Sequence, residues 1–171
     1  MEAAGEALTQ LPLAVVVVAA DAGGERSCST ATASYVSFEP PLVVAPLAAS
    51  SRTGALVCEA GTFSLSVLGD DQAEIAVRAA APGEGDKFAE QGIAVIEPPP
   101  GHTAPGVAGS VAVLWCELES AATAGRTLLA VGRIRAAESA RDGRAPLLRF
   151  ERRYRALGAA VEVEAEADYP L

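Results

Sequence analysis

The chain has 171 residues, of which 50% are hydrophobic and 20% are charged, and its formal net charge at pH 7 is −9. This length predicts one domain with a core of its own, which needs neither a disulfide nor a metal ion to fold. The acidic balance argues against a nucleic-acid-binding protein, which typically has a broad basic face.

The first elements are predicted to be β-strands. Residues 13–20 include a run of valines, which is typical of a buried strand. The sequence Asp-Ala-Gly-Gly at residues 21–24 predicts a hairpin turn, because glycine adopts positive φ without steric cost. A return strand is expected over residues 25–37. Another strand is expected over residues 42–47, after a double proline.

A short helix and a two-faced strand come next. Residues 50–53, Ser-Ser-Arg-Thr, are typical of a helix start, and Gly61 is expected to end that helix. Residues 63–67 alternate between apolar residues and serine, which predicts a strand with one apolar and one hydroxyl face. A second helix is predicted from the Asp-Asp pair at residues 70–71 to about residue 80. A short helical turn is predicted around residues 87–89.

Two long strands and a shorter one complete the pattern. Residues 111–118 and 128–136 are predicted to pair around Gly125, and residues 147–150 to form a last strand before an arginine-rich turn or helix. The chain therefore contains about seven strands and two or three short helices, which favours a mostly-β barrel with short helical excursions.

Cysteine and histidine are scarce. Cys28, Cys58 and Cys116 show no CxxC spacing, and His102 is the only histidine, so no metal site is expected. The N-terminus lacks the basic segment of a signal peptide, and the longest apolar stretch, residues 11–20, is too short to cross a bilayer. We expect a cytoplasmic protein with neither a membrane nor a nucleic acid among its partners.

Charge is distributed unevenly along the chain. Residues 126–155 hold nine basic and three acidic side chains, whereas residues 1–125 hold four basic and fifteen acidic ones. Such blocks are usually solvated faces of opposite sign. A phosphate-bearing cofactor bound by the arginine-rich part would also account for them.

Four stretches occur in a characteristic order. They are Ser-Thr-Ala-Thr at residues 29–32 with the double proline after Glu39, Ser-Arg-Thr and the phenylalanine strand within residues 51–68, Trp-Cys-Glu at residues 115–117, and the segment from Gly125 to Tyr154. In this order and spacing the chain resembles the flavin reductase-like family, which has the FMN-binding split-barrel fold. The resemblance implies a split β-barrel domain at residues 12–157, a lead-in at residues 1–11 and an acidic tail at residues 158–171.

The resemblance also implies a flavin site. The start of the first predicted helix would hold the flavin phosphate, because unpaired backbone N–H groups and the helix dipole favour an anion there. The strand at residues 29–32 would lie along the isoalloxazine ring and ribityl chain, and a serine of the phenylalanine strand would line the same cleft. The cofactor-binding candidates are Ser29, Thr30, Ala31, Thr32, Ser50, Ser51, Arg52, Thr53 and Ser66.

One departure from the family concerns the catalytic residues. Where the family usually has Gly-Asp-His, this chain has Gly125, Arg126 and Thr127. Arg126 could pair with a phosphate of the nicotinamide dinucleotide, but it cannot donate a proton at neutral pH. His102 lies in a loop rich in proline and glycine, where it either replaces the missing histidine or is simply solvated. The catalytic residues therefore stay unassigned, with Arg126, Thr127 and His102 as candidates.

Three functions remain open from the sequence, of which the third is a flavin carrier or sensor without turnover. The first is an NAD(P)H-dependent flavin reductase that binds FMN or FAD and supplies reduced flavin to a partner monooxygenase. The second is a repurposed split barrel, without reductase activity, that has a non-redox role with a small molecule in specialised biosynthesis. Split barrels of this type place the flavin close to a subunit boundary, so a homodimer is expected in each case.

Overall fold

A computed structural model describes residues 2–159, so most of the predicted acidic tail, residues 160–171, lies outside the described residues. The helices and strands follow in chain order: α1 (Glu2–Leu8), β1 (Leu13–Ala22), β2 (Glu25–Phe38), β3 (Pro41–Ala48), α2 (Arg52–Ala60), β4 (Thr62–Val67), α3 (Ala73–Ala80), α4 (Lys87–Glu90), β5 (Val95–Ile96), β6 (Gly106–Val107), β7 (Ala112–Ala124), β8 (Thr127–Ser139), β9 (Leu148–Phe150) and β10 (Arg153–Arg155).

Six antiparallel strands close into a barrel, which confirms the mostly-β prediction. Their order is β1-β2-β3-β8-β7-β4, and β4 also pairs with β1. Two short strands, β9 and β10, extend the sheet beside the beginning of β1. The helices are short excursions between strands, as predicted.

β1 is buried on both faces, which explains its run of valines. Val16 and Val18 pack inside the barrel with Phe63 and Leu65. Val15 and Val17 pack on the outer face, in the cluster that includes Ala76 of α3 and Phe88 of α4. Because both faces of β1 are covered, a continuous apolar run is the pattern that its surroundings favour.

Helix α2 packs against the interior of the barrel and is bounded as the sequence predicts. Ser51 is its N-cap, and the Ser51 hydroxyl accepts a hydrogen bond from the Gly54 N–H at 3.1 Å. Gly61 ends the helix with φ 66°, and its N–H donates to the Val57 carbonyl at 3.1 Å. Leu56 and Val57 join the interior cluster, so the first turn of α2 lies at the rim of the barrel.

The other helices differ from the prediction in detail. The N-cap of α3 is Gln72 and not the preceding Asp-Asp pair. The Gln72 side chain makes no cap bond; its amide oxygen accepts from the Gly69 N–H and its amide nitrogen donates to the Ala108 carbonyl. The hairpin of β7 and β8 is longer than predicted because its strands continue pairing to Ala124 and Thr127. No helix within residues 2–159 is long and apolar enough to cross a membrane.

Candidate functional site

The barrel is split between β2 and β3. β1 pairs with β2 along residues 14–22 and 25–33, but the pairing of β2 with β3 begins only at Ser34. The first half of β2 therefore has one edge that no strand of the described barrel covers. Unpaired strand edges present backbone N–H and C=O groups to a ligand or a partner. The first turn of α2 lies beside this opening.

A cleft of about 350 Å³ lies where the opening meets the start of α2. One wall of the cleft is polar and is formed by β2 and the start of α2. The opposite wall is formed by the end of α3, the loop that follows it and α4. Its lining residues are Ser27, Ser29, Ser51, Arg52, Thr53, Ala80, Ala81, Pro82, Gly83 and Lys87.

Thr53 joins the two elements of the polar wall. Its Oγ1 lies 3.0 Å from the Ser27 hydroxyl and 2.9 Å from the Ser29 hydroxyl. Thr53 and Ser27 are buried, so the three hydroxyls form a fixed hydrogen-bonded set. Hydroxyls can rotate to donate or accept, and this set can turn toward an anion in the cleft.

Two cations flank the hydroxyls. Arg52 donates from Nε to Glu25 Oε1 at 2.7 Å and from Nη1 to the Gly85 carbonyl at 2.7 Å. Lys87 is only 6% exposed, and its Nζ donates to the carbonyls of Cys28 and Ala79, each at 2.8 Å. Burial lowers the pKa of the Lys87 ammonium from its ordinary value. The cleft therefore carries donors and positive charge, the combination that binds phosphate.

A second, shallower cleft of about 200 Å³ lies farther along β2. Thr30, Ala31 and Thr32 line it together with Arg149 and Tyr154 from the C-terminal strands. The Arg149 guanidinium lies 5.0 Å from the centre of the Tyr154 ring, within the range of a cation–π interaction. The Thr30 hydroxyl donates to the Ala76 carbonyl, which ties this part of β2 to α3.

The structure separates the remaining candidates from these clefts. Ser66 is 1% exposed, and its hydroxyl accepts a hydrogen bond from the Val107 N–H at 2.9 Å beneath β6. Ser50 is exposed and precedes the N-cap. His102 is half-buried in its loop. Its backbone N–H donates to the Pro99 carbonyl, and its ring Nδ1 is shielded from solvent without a hydrogen-bond partner among the described residues. None of these three lines either cleft.

Backbone contacts hold Arg126 and Thr127 close to the residues that precede α2. The Arg126 carbonyl accepts a hydrogen bond from the Ala49 N–H at 3.0 Å, and Thr127 pairs with Ala48. The Arg126 side chain is exposed on the hairpin turn. The turn that replaces Gly-Asp-His is thus adjacent to the residues that lead into the cleft.

Sequence reasoning missed Lys87, Ser27 and Arg149 as site residues. Lys87 reaches the cleft only because α4 packs against β2, a contact between residues 59 positions apart. One signal was available, because Lys87 is the only lysine in an arginine-rich chain.

The fold and the clefts define a split-barrel protein with a donor-rich cleft at the start of α2. A family model described as flavin reductase like domain matches residues 8–158. The chain belongs to this family, and the resemblance inferred from the sequence is confirmed.

Individual relatives cover nearly the whole chain. The reductase component of 4-hydroxyphenylacetate 3-monooxygenase from Thermus thermophilus is 34% identical over 91% of this chain and 96% of its own length. Actinorhodin polyketide dimerase from Streptomyces coelicolor is 31% identical over 91% of this chain and 85% of its own length. The solved structure of the Streptomyces globisporus NADH:FAD oxidoreductase SgcE6 matches with a TM-score of 0.82 and 25% identity, covering 91% of this chain and 92% of that one.

Proposed function

We propose that the protein is an NAD(P)H:flavin reductase whose flavin phosphate lies in the cleft at the start of α2. The observation that carries the proposal is the donor set of that cleft, in a chain of the flavin reductase-like family. Three hydroxyls, Arg52 and Lys87 fit a phosphate, because each can donate a hydrogen bond to an anionic oxygen.

The flat ring of the flavin would lie along residues 30–32. Ala31 and the two threonines are small enough for a planar group to approach the backbone, and Tyr154 supplies an aromatic face in the same cleft. A bound flavin would supply the redox chemistry, hydride transfer from the nicotinamide, at this site. The part of the protein would be to hold the flavin ring along β2 through the residues that line this cleft.

Reduced flavin would be consumed by a partner monooxygenase. The Thermus relative is named as the reductase component of a monooxygenase, which supports this partner. FMN and FAD both carry the phosphate that the cleft fits, and NADH and NADPH both carry the nicotinamide. We place the protein in the cytoplasm, where NAD(P)H is available and the three cysteines remain free thiols.

The test is NAD(P)H consumption at 340 nm by the purified protein with added FMN or FAD, together with the absorbance of any flavin that copurifies. We expect oxidation that requires flavin and saturates with it. A protein that neither binds flavin nor oxidises NADH or NADPH would contradict the proposal.

A repurposed barrel is the second candidate. Two observations favour it: Gly125-Arg126-Thr127 replaces the family's Gly-Asp-His, and one relative is named as a polyketide dimerase. A colourless protein with no turnover would support this candidate, which then predicts another small molecule in the same clefts.

Arg52→Ala is expected to weaken flavin binding by about 1–3 kcal/mol, the usual contribution of a charge-assisted hydrogen bond. We expect the lower part of that range, because Arg52 already donates to Glu25 and to the Gly85 carbonyl. The dissociation constant of FMN is measured by fluorescence quenching. Arg135→Ala, which removes an exposed arginine paired with Glu117 on the barrel wall, is the control and should bind normally. Unchanged binding in Arg52→Ala would remove Arg52 from the site.

We also propose a homodimer formed through the end of β2. Tyr35, Val36 and Phe38 are 59%, 50% and 56% exposed, and the rings of Tyr35 and Phe38 lie 5.1 Å apart. They adjoin an apolar groove of about 210 Å³ that Tyr35 also lines. Exposed apolar patches of this kind mark protein–protein contacts, and a second copy supplies both a groove and a matching aromatic pair.

The double variant Tyr35→Lys with Phe38→Glu is expected to be monomeric, because the dimer would bury both charges. Light scattering coupled to size exclusion measures the mass, with twice the 17.3 kDa of one chain expected for the native protein. Val77→Lys, at another exposed apolar residue on α3, is the control and should remain dimeric. A native protein that elutes as a monomer at micromolar concentration would contradict the prediction.

A further inference from the structure

Among the described residues that line the second cleft, which lies along residues 30–32, only Arg149 carries a charge. Its guanidinium lies 5.0 Å from the centre of the Tyr154 ring. None of the ion pairs found within residues 2–159 includes Arg149. The arginine side-chain hydrogen bonds found there are all donated by other arginines. The N–H donors and the positive charge of Arg149 are therefore available to a ligand in this cleft.

The hairpin of β9 and β10 directs Arg149, and not its other arginines, toward the second cleft. Arg149 and Tyr154 are partners across the hairpin, and partners in an antiparallel pair share one face. Arg153 and Arg155 flank Tyr154 on β10, so they lie on the opposite face, because side chains alternate along a strand. Glu151, the acidic residue of the turn, pairs with Arg155 at 3.6 Å. Arg149 is thus the arginine of these two strands that faces the cleft.

Hydride transfer changes the charge of a flavin ring. The oxidised ring is neutral, and the hydride brings two electrons and one proton from the nicotinamide, which leaves as NAD(P)⁺. The ring therefore gains one negative charge unless a proton follows. The described residues that line the second cleft include neither a carboxylic acid nor a histidine. At this place the structure offers the reduced ring a positive charge, from Arg149, and not a proton.

We infer that Arg149 makes the protein bind reduced flavin more tightly than oxidised flavin. This inference rests on the proposed function, which places the flavin ring in the second cleft. A guanidinium attracts an anionic ring by its charge and gains little from a neutral one. The preference holds the reduced product on the protein until an acceptor takes it. It also raises the reduction potential of the bound flavin above that of free flavin, since charge near the ring tunes the cofactor.

The first test measures the dissociation constants of oxidised and of reduced FMN, both under anaerobic conditions. We expect the native protein to bind reduced FMN about tenfold more tightly than oxidised FMN, as one charge interaction near a protein surface allows. In Arg149→Met, whose new side chain is unbranched and apolar, the two constants should become equal, mainly because reduced FMN binds more weakly. Arg149→Lys keeps the charge and should restore the preference. Arg153→Met is the matched control, because it removes an exposed arginine from the other face of the same hairpin.

The second test measures the reduction potential of FMN bound to each protein, which a merely structural role of Arg149 would leave unchanged. For a two-electron couple, a tenfold preference for the reduced form corresponds to a potential about 30 mV above that of free FMN. We expect this difference in the native protein, in Arg149→Lys and in Arg153→Met. In Arg149→Met the potential should return to that of free FMN. The comparison of native protein with free FMN needs no variant, so it does not depend on how a variant folds.

The outcomes separate this inference from the proposed function. Equal binding of the two redox states by the native protein, or an unchanged preference in Arg149→Met, would overturn the inference while the reductase stands. Loss of the preference in Arg153→Met as well would assign it to the overall charge of the hairpin and overturn the role of Arg149. A native protein that binds FMN in neither state would overturn the proposed function and the inference with it. A preference that is lost in Arg149→Met alone and restored in Arg149→Lys supports the inference.

Discussion

Thr127→His is expected to raise the rate of NAD(P)H oxidation about tenfold. General acid–base catalysis by a placed side chain contributes roughly 10²–10⁴-fold, and histidine is the residue whose ordinary pKa lies near neutral pH. Thr127 begins β8 opposite Ala48, next to the residues that lead into α2. A histidine there would occupy the position that the family's motif assigns to it.

The native rate is expected to be lower than the roughly 10 per second of a typical enzyme. Arg126, the other residue of the altered motif, carries a guanidinium, which does not act as a proton donor at neutral pH. The assay follows absorbance at 340 nm with saturating FMN. Thr123→His, on the neighbouring strand of the same hairpin, controls for a histidine placed elsewhere. Equal rates in the native protein and Thr127→His would contradict the role assigned to this turn.

Gly132→Ala is expected to lower the free energy of unfolding by about 3 kcal/mol, at the upper end of what overpacking a core costs. A Cβ at Gly132 would lie 2.4 Å from Cζ of Phe63 and 2.8 Å from Cβ of Cys116. Phe63 and Cys116 are fully buried in the barrel interior, so neither can move aside without displacing its own neighbours.

Urea denaturation at a fixed protein concentration measures this change. Gly5→Ala is the control, because a Cβ at Gly5 of α1 meets nothing within 4 Å and alanine favours a helix over glycine by about 0.8–1 kcal/mol. If Gly132→Ala were as stable as the native protein, the barrel interior would be less tightly packed than the structure indicates.

Local chemistry made part of this molecule predictable. The valine run of β1, the turn at Gly23 and Gly24, and the caps of α2 at Ser51 and Gly61 each depend on residues close together in the chain, and the structure confirms them. Backbone preferences and side-chain caps act over a few residues, so the sequence displays them directly.

What could not be predicted depends on contacts between distant segments. The alternation around Ser66 indicated a hydroxyl face, but β6 covers that face and buries the serine. The Asp-Asp pair before α3 was expected to cap it, but Gln72 takes the N-cap position without a side-chain cap bond, and its amide instead contacts Gly69 and the distant Ala108 carbonyl. Lys87 belongs to the cleft through Cys28 of β2, and no local pattern records such a contact.

The pairing of β1 has a consequence for synthesis of the chain on the ribosome. One edge of β1 is covered as soon as β2 emerges, because a two-residue turn joins them. Its other edge is completed by β4 and, at Leu13 and Ala14, by β9. β9 is among the last described segments to be made, and non-local pairings of this kind form slowly. The valines at residues 16–18 therefore keep one edge unpaired until β4 has been made, and Leu13 and Ala14 until β9 has been made; such unpaired apolar edges are prone to aggregation.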